Sequence, residues 1–465
     1  MKNRKFDLVV VGAGSGGVRA ARTAAKLGAK VAVIEERYLG GTCVNVGCVP
    51  KKLMVFASDY QEHLKAAQSY GWNLEGPRFD WQTLRDNVAD QVDKLNEIYQ
   101  GLIEDSGVEL FWGKGELLNS TTVKVSPSSS VPGGQNDSQA VEIKADKIIL
   151  ATGGWPNKGD FEGAEHCVTS NEIFSLEAFP QRILILGGGY IAAEFSCIFS
   201  GLGSEVNLVF RNDRILKSFD EDVTRHVMEE MSQAGIKLHG KESIEKIEKT
   251  DDGFRVSLLS GKTLVVDQVL AAIGRHPKTD GLGLEKTIVI PEPSGHIKVD
   301  KTFKTNEASI YAIGDLVGNL DLTPVALNEG MYLARHLYDE SFDLKAIDYD
   351  KVATAIFTRP NIGVLGMTEA AARKAFDEIE VYQSTFRPLK TAFAKSDARC
   401  MMKIIVRKRD DEVVGIHIAC PEAGEIIQGF AALFQRGITK AELDRTVGIH
   451  PTIAEELVTI REARE

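Results

Sequence analysis

Cysteine is scarce in this chain, with six in 465 residues. That excludes a disulfide-stapled scaffold. Four of them, Cys167, Cys197, Cys400 and Cys420, are scattered and read as small buried hydrophobes. A disulfide between the remaining two would then be a working bond in a reducing compartment, not a structural one. An excess of positive charge is also lacking: 55 Lys and Arg stand against 66 Asp and Glu, for a net charge of −11. Nucleic acid and anionic membrane are therefore poor candidates for the main partner. No run reaches the roughly 18 apolar residues of a membrane span. The apolar stretch Val9–Val11 follows basic residues but is too short for a secretory signal, and glycines follow it at once. A cytoplasmic location is expected. Hydrophobic content of 43% and charged content of 26% are those of an ordinary globular protein.

The two remaining cysteines carry the most information. Residues 40–52 read Gly-Gly-Thr-Cys-Val-Asn-Val-Gly-Cys-Val-Pro-Lys-Lys, which puts four residues between Cys43 and Cys48. This is not the C-x-x-C of a zinc site or a thioredoxin-like motif, and no metal site is expected. Cys43 comes eight residues after Glu35, at the end of a dinucleotide-binding pattern. The pair therefore suggests a redox disulfide that exchanges electrons with a bound cofactor.

That pattern occurs twice. The apolar segment Phe6–Val11 runs into Gly12, Gly14, Ser15, Gly16 and Gly17, then an Ala-rich helix, then a strand ending at Glu35. Residues 182–186 run into Gly187, Gly188 and Gly189, then Tyr190, Ile191 and a helix, then a strand ending at Phe210 and Arg211. Each is a strand–turn–helix–strand unit, the signature of a parallel doubly wound sheet. The glycines permit the tight turn, the approach of backbone amides to a pyrophosphate, and close packing of helix on strand. The helix N-terminus then faces the anion.

The ends of the second strands tell the two nucleotides apart. Glu35 can accept hydrogen bonds from ribose hydroxyls, as FAD or NAD requires. Phe210 has no such group, and Arg211, Arg214 and Lys217 follow it. An isolated Arg-x-x-Arg-x-x-Lys is usually a solvated cluster. After a second dinucleotide-binding strand it reads as a site for the 2′-phosphate of NADPH.

Elsewhere, residues 55–67 and 81–103 have helical patterns and residues 108–125 alternate like strands. Ser126–Ser138 is rich in Ser, Pro and Gly and reads as a flexible hairpin loop without function. Strand-like phrases at 147–154, 269–275 and 310–315 end in glycine. The pattern changes near Tyr349. The expected fold is α/β, with two Rossmann-like dinucleotide-binding domains and a C-terminal α+β dimerisation domain. Residues 1–154 and 275–346 would form the FAD-binding part, 155–274 the NADPH-binding domain and 347–465 the dimerisation domain.

The chain resembles the flavoprotein disulfide reductases, class I of the pyridine nucleotide-disulfide oxidoreductases, and within them the glutathione reductases. The resemblance covers essentially its whole length. It rests on both glycine turns, residues 40–52, Ala151-Thr152-Gly153, Gly274-Arg275, Gly314-Asp315, Leu322-Thr323-Pro324, and His450-Pro451-Thr452 with Glu455. It implies that FAD contacts Gly12, Gly14, Ser15, Gly16, Gly17, Glu35, Thr42, Cys43, Gly115, Thr152, Asp315 and Thr323. Lys51 would sit near the flavin, paired with Glu194. Tyr190 would cover the flavin face until NADPH displaces it. Gly187, Gly189, Ile191, Arg211, Lys217 and Gly274 would line the NADPH site. Cys48 would be the charge-transfer thiolate, its pKa lowered by the helix that Pro50 opens. Cys43 would attack the substrate disulfide. His450, oriented by Glu455, would be the acid for the leaving thiolate, reaching across a homodimer into the partner's site.

The resemblance also bears on the substrate. Arg19 and Arg22 share one helix face and would suit the anionic glutathione disulfide, with Ser15, Tyr99 and His450 beside it. Trypanothione reductases carry an acid and a Trp at the two arginine positions. Dihydrolipoamide dehydrogenases usually carry Pro-Ser-Lys after the second cysteine and an acid at the Phe210 position. Oxidases and peroxidases of this fold usually have one redox cysteine, and a non-catalytic flavoprotein need not retain every reactive group. Two departures stand out. Met331 takes the place of an arginine common in glutathione reductases, and Lys217 that of a second arginine, keeping charge but losing the bidentate fork.

Overall fold

The computed structural model describes residues 4–131, 139–343 and 347–464. Residues 132–138 of the expected Ser126–Ser138 loop lie outside the described residues. Ser126 itself closes a strand. The chain forms two compact units. One comprises Met1–Lys51, Arg85–Asn157 and Arg275–Ile347, and the other Lys52–Leu84, Lys158–Gly274 and Asp348–Glu465.

The first unit is built on a parallel sheet in the order Glu109–Trp112, Val31–Glu35, Arg4–Val11 and Val141–Leu150. Ile310–Ala312 pairs in parallel with the end of Val141–Leu150. Lys114–Asn119 and Thr122–Ser126 add an antiparallel hairpin along its start. Val9, Val10, Ala32, Val33, Ile148 and Ile149 are fully buried. Such continuous apolar runs are what a parallel sheet covered on both faces needs. The helix Ser15–Lys26 buries Gly16, Gly17, Ala20, Ala21 and Ala24. These small side chains let it approach both the sheet and the helix Thr323–Tyr338. At that crossing a Cβ on Gly330 would come within 2.4 Å of the Gly16 carbonyl oxygen.

Two long helices follow the cysteine segment, Cys48–Ala67 and Trp81–Glu104. The first opens at Cys48 itself, two residues before Pro50. A proline in the first helical turn forfeits no intrahelical hydrogen bond, so the turn forms ahead of it.

The second unit repeats the parallel arrangement, in the order Lys237–Gly240, Glu205–Phe210, Arg182–Leu186 and Gln268–Ala271. Ile244–Thr250, Gly253–Leu258 and Thr263–Val266 form a small antiparallel sheet. The C-terminal part is a five-stranded antiparallel sheet, ordered Thr354–Ile356, Ile362–Gly366, Glu412–Ala419, Cys400–Arg407 and Ile379–Phe386. The helix Ala423–Phe434 belongs to the same part. The architecture is α/β, with an α+β C-terminal part.

A buried ion cluster sits inside this unit. Lys403, 1% exposed, reaches Asp220 at 2.8 Å, Asp222 at 2.6 Å and Glu369 at 2.7 Å. Arg464 pairs with Asp222 and Glu369 from the solvent side. Asp220 also caps the helix Glu221–Gln233. Cys167, Cys197, Cys400 and Cys420 are all buried, and burial pushes each thiol up, to about 11 at Cys197. Among the described residues no helix is long and apolar enough to cross a membrane, and no His, Cys, Asp and Glu group could hold a metal.

Candidate active site

The first glycine turn is held by its backbone. Gly12 has φ +105°, and a Cβ there would lie 2.4 Å from the Ala151 carbonyl oxygen, so only glycine fits. Gly14 precedes the first turn of the helix Ser15–Lys26, so Ser15, Gly16 and Gly17 line its N-terminus. Gly14 also bridges to Gly40 at the start of the cysteine segment, where the Gly40 N–H donates to the Ala13 carbonyl at 2.9 Å. Glu35 closes the neighbouring strand. Its carboxylate accepts from the backbone N–H of Ala13 at 2.7 Å, of Glu36 at 2.9 Å and of Arg37 at 2.8 Å. Burial pushes Glu35 above the usual carboxylate range, while those donors and Lys278 pull against it.

Later segments of the same unit converge on this region. Thr152 donates its hydroxyl to the Lys278 carbonyl at 2.6 Å. Asp315 lies 3.5 Å from Arg275. Gly115 sits under the sheet, with room for no side chain beside Val11 and Ile34. A dinucleotide of the FAD type fits this arrangement. The glycine cradle leaves backbone amides open to a pyrophosphate, and Glu35 places a fixed carboxylate at the strand end.

One supporting residue has no signature in the sequence. Glu329 is fully buried. It accepts from the Gly314 N–H at 2.7 Å and from the Asn319 amide at 3.0 Å. It thereby holds the short turn that carries Asp315.

Cys43 lies in the short helix Gly41–Asn45, beside Thr42, and Cys48 is the first residue of the next helix. Asn45 anchors the short helix by donating to the carbonyls of Leu39 at 2.8 Å and Gly41 at 3.0 Å. Asn96, on the helix Trp81–Glu104, donates to Asn45 in turn at 2.8 Å. A hydrogen bond from Cys43 does most to pull the Cys48 thiol down, to about 6, against the opposing effect of burial. The Thr323 hydroxyl, 3.6 Å from Cys48 Sγ, and the charge of Lys51 add to that pull. The same bond, with burial, drives the Cys43 thiol far up. The bond thus favours the ionised form at Cys48 and the protonated form at Cys43.

Tyr99 lies in the field of Cys43, Arg19 and Arg22. Burial does most to raise its pKa, Cys43 adds to this and the two arginines oppose it. Arg22 Nε is buried with no hydrogen-bond partner among the described residues. An orphaned guanidinium donor is costly unless a ligand satisfies it. Met331 follows the Gly330 of the helix crossing and supplies no charge.

The second unit holds the second turn. Gly187 has φ +141°, and a Cβ there would meet the Ala272 oxygen at 2.1 Å. Gly189 precedes the helix Tyr190–Leu202, whose first residues, Tyr190 and Ile191, are 42% exposed and half-buried respectively. Glu194, 2% exposed on that helix, accepts from the Phe357 N–H at 2.9 Å. Gly274 lies just beyond the strand Gln268–Ala271. Phe210 is buried, while Arg211 and Lys217 are exposed.

Arg214 departs from the sequence expectation. Its guanidinium turns inward onto loop carbonyls instead of joining the other two cations. The loop's inward-pointing carbonyls need donors, and a forked guanidinium serves several at once.

His450 Nδ1 meets the two Glu455 oxygens at 3.1 and 3.2 Å, while the His450 side chain stays 81% exposed. Glu455 also accepts from the Thr452 N–H at 3.3 Å.

Residues 6–330 match the model of the pyridine nucleotide-disulphide oxidoreductase family, and residues 352–461 that of its dimerisation domain. The chain is 40% identical to a glutathione reductase of Burkholderia cepacia over the full length of both proteins. It is 40% identical to a glutathione reductase of Nostoc sp., covering 98% of this chain and 99% of that protein. Against the chloroplastic/mitochondrial glutathione reductase of Pisum sativum the identity is 39%, covering 98% and 82%. With its paired thiols and two nucleotide turns, the chain belongs to the pyridine nucleotide-disulphide oxidoreductase family.

Proposed function

We propose that this protein is a flavoenzyme that reduces glutathione disulfide to glutathione at the expense of NADPH, maintaining thiol redox balance. The observation that carries the reading is the asymmetric pair, Cys48 low and Cys43 high, with Cys43, Arg19 and Arg22 all acting on Tyr99. Gly12, Gly14, Ser15, Gly16, Gly17, Glu35, Thr42, Gly115, Thr152, Asp315 and Thr323 hold FAD. The chemistry that a bound FAD supplies is relay of an electron pair from NADPH to the protein disulfide. Gly187, Gly189, Ile191, Gly274, Arg211 and Lys217 bind NADPH, and Tyr190 gates its entry. Lys51 keeps a positive charge beside Cys48.

The disulfide chemistry belongs to the chain's own groups. His450 of the partner subunit takes the Cys43 proton, its ring held by a carboxylate as Glu455 holds His450 here. The Cys43 thiolate attacks one sulfur of the substrate, whose S–S bond breaks as the Cys43–glutathione bond forms. The first glutathione leaves and takes the proton back from the imidazolium. The Cys48 thiolate then attacks Cys43 Sγ, releasing the second glutathione and closing the Cys43–Cys48 disulfide. Once Cys43 is bonded to glutathione its hydrogen bond is gone, and the Thr323 hydroxyl and the charge of Lys51 remain to favour the Cys48 thiolate.

Arg22, with its unpartnered Nε, receives a substrate carboxylate together with Arg19. The absence of charge at Met331 leaves that duty to these two. The protein acts as a homodimer in the cytoplasm. Residues 1–154 and 275–346 bind FAD, 155–274 bind NADPH and 347–465 form the dimer contact.

Steady-state NADPH oxidation against a panel of disulfides tests the reading: glutathione, trypanothione, lipoamide, coenzyme A disulfide and bis-γ-glutamylcystine. Glutathione disulfide is expected to give the highest kcat/KM. No turnover with it, alongside rapid turnover of another disulfide, overturns the substrate assignment.

A further inference from the structure

The loop between the strand Glu205–Phe210 and the helix Glu221–Gln233 carries three cations, Arg211, Arg214 and Lys217. Two are exposed. The third is consumed by the loop itself. Arg214 Nη1 donates to the Leu216 carbonyl at 3.3 Å, the Phe219 carbonyl at 3.4 Å and the Thr224 hydroxyl at 3.2 Å. Its Nη2 donates to the Lys217 carbonyl at 3.0 Å. All four acceptors are neutral. Three belong to the loop and the fourth to the first turn of the helix that follows.

The conformation thus braced is not one the chain would adopt freely. Leu216 is buried at φ +52°, a left-handed backbone that a branched side chain rarely takes. Its N–H donates to the Gly188 carbonyl at 2.6 Å, tying the loop to the glycine turn. The Lys241 N–H holds the Asn212 carbonyl at 2.9 Å. Such strain persists only where the surroundings over-determine it, and it concentrates at ligand clamps.

We propose that Arg214 is a positioning residue for coenzyme selection: it holds the loop in the form that presents Arg211 and Lys217 to a 2′-phosphate, and does not itself bind the phosphate. The proposal rests on the reading of Arg211 and Lys217 as the phosphate ligands. Its physical content is preorganisation. When only a fraction of the free protein holds the competent loop, affinity for the ligand falls by that fraction. Lysine at this position would keep the charge but lose the fork that serves several acceptors.

Binding of 2′,5′-ADP and of 5′-AMP to the holoenzyme, measured calorimetrically over a series of ionic strengths, tests this without reference to turnover. Arg214→Met is expected to weaken 2′,5′-ADP about tenfold and to leave 5′-AMP unchanged. The steepness of its salt dependence should match that of the unaltered protein, because no cation touching the dianion has been removed. Lys217→Met should flatten that dependence. Arg214→Lys is expected to bind 2′,5′-ADP as weakly as Arg214→Met, and its thermal midpoint checks folding independently. A flattened salt dependence in Arg214→Met makes Arg214 a direct ligand and overturns the proposal. So does full affinity in Arg214→Met or Arg214→Lys, or an equal loss for 5′-AMP. If Arg211→Met and Lys217→Met both retain full affinity, the coenzyme reading fails, and the proposal with it.

Discussion

Replacing Cys43 by alanine removes the main influence holding the Cys48 thiol low. In the paired state that thiol titrates at about 6, through the hydrogen bond from Cys43 first and then through Thr323 and Lys51, with burial opposing. A group with that midpoint is about nine-tenths thiolate at pH 7, whereas an ordinary thiol near 8.5 is about 3% thiolate. Cys43→Ala should therefore move Cys48 up towards the ordinary value and cut its thiolate at pH 7 by as much as about thirtyfold. The assay is the pH dependence of Cys48 alkylation in the reduced holoenzyme, read by mass spectrometry of its peptide. A variant whose alkylation midpoint stays at about 6 would refute the assignment of the hydrogen bond as the main cause. The sign for stability follows. Because its folded value lies below its unfolded value, the Cys48 contribution is present above about 8.5 and is lost as pH falls through about 6.

Other perturbations separate the parts of the site. His450→Gln should slow disulfide turnover far more than NADPH-driven bleaching of the flavin in a stopped-flow experiment, and equal losses would contradict its role as the acid. Arg22→Ala should raise KM for glutathione disulfide about tenfold while leaving KM for NADPH unchanged, since a charge-assisted bond to a carboxylate is lost. Lys403→Met should lower unfolding stability by about 3 kcal/mol in denaturant titration, because it takes the cation from the buried carboxylate of Asp220 and one of the cations from Glu369. Burial opposes ionisation of these carboxylates, but their partners outweigh it and hold them below the usual range. The difference between variant and parent should therefore be present near neutral pH and shrink as pH falls through the carboxylate range.

What was legible in the sequence is what short-range patterns encode. Each strand–glycine–helix unit packs against itself within about 30 residues, so both turns, both strand ends and the cysteine segment could be read directly. Groups whose partners are distant in sequence could not. Nothing near Glu329 announces that it will hold Gly314 and Asn319, or near Asn96 that it will hold Asn45. Arg214 illustrates the limit within a motif. Its spacing from Arg211 and Lys217 suggests three equivalent cations, but the inward carbonyls of Leu216, Lys217 and Phe219 exist only once the loop has closed. The helix start at Cys48 was missed for a simpler reason: Pro50 marks a first turn without saying which of its positions it occupies.

In the proposed cycle, electrons reach the substrate through Cys43 and arrive there by way of Cys48. Rapid mixing of the Cys43→Ser holoenzyme with NADPH, followed by glutathione disulfide, tests it most directly. NADPH is expected still to bleach the flavin fully, and the added disulfide to yield no free thiol. Continued production of glutathione by the variant, or a flavin that NADPH no longer reduces, would contradict it.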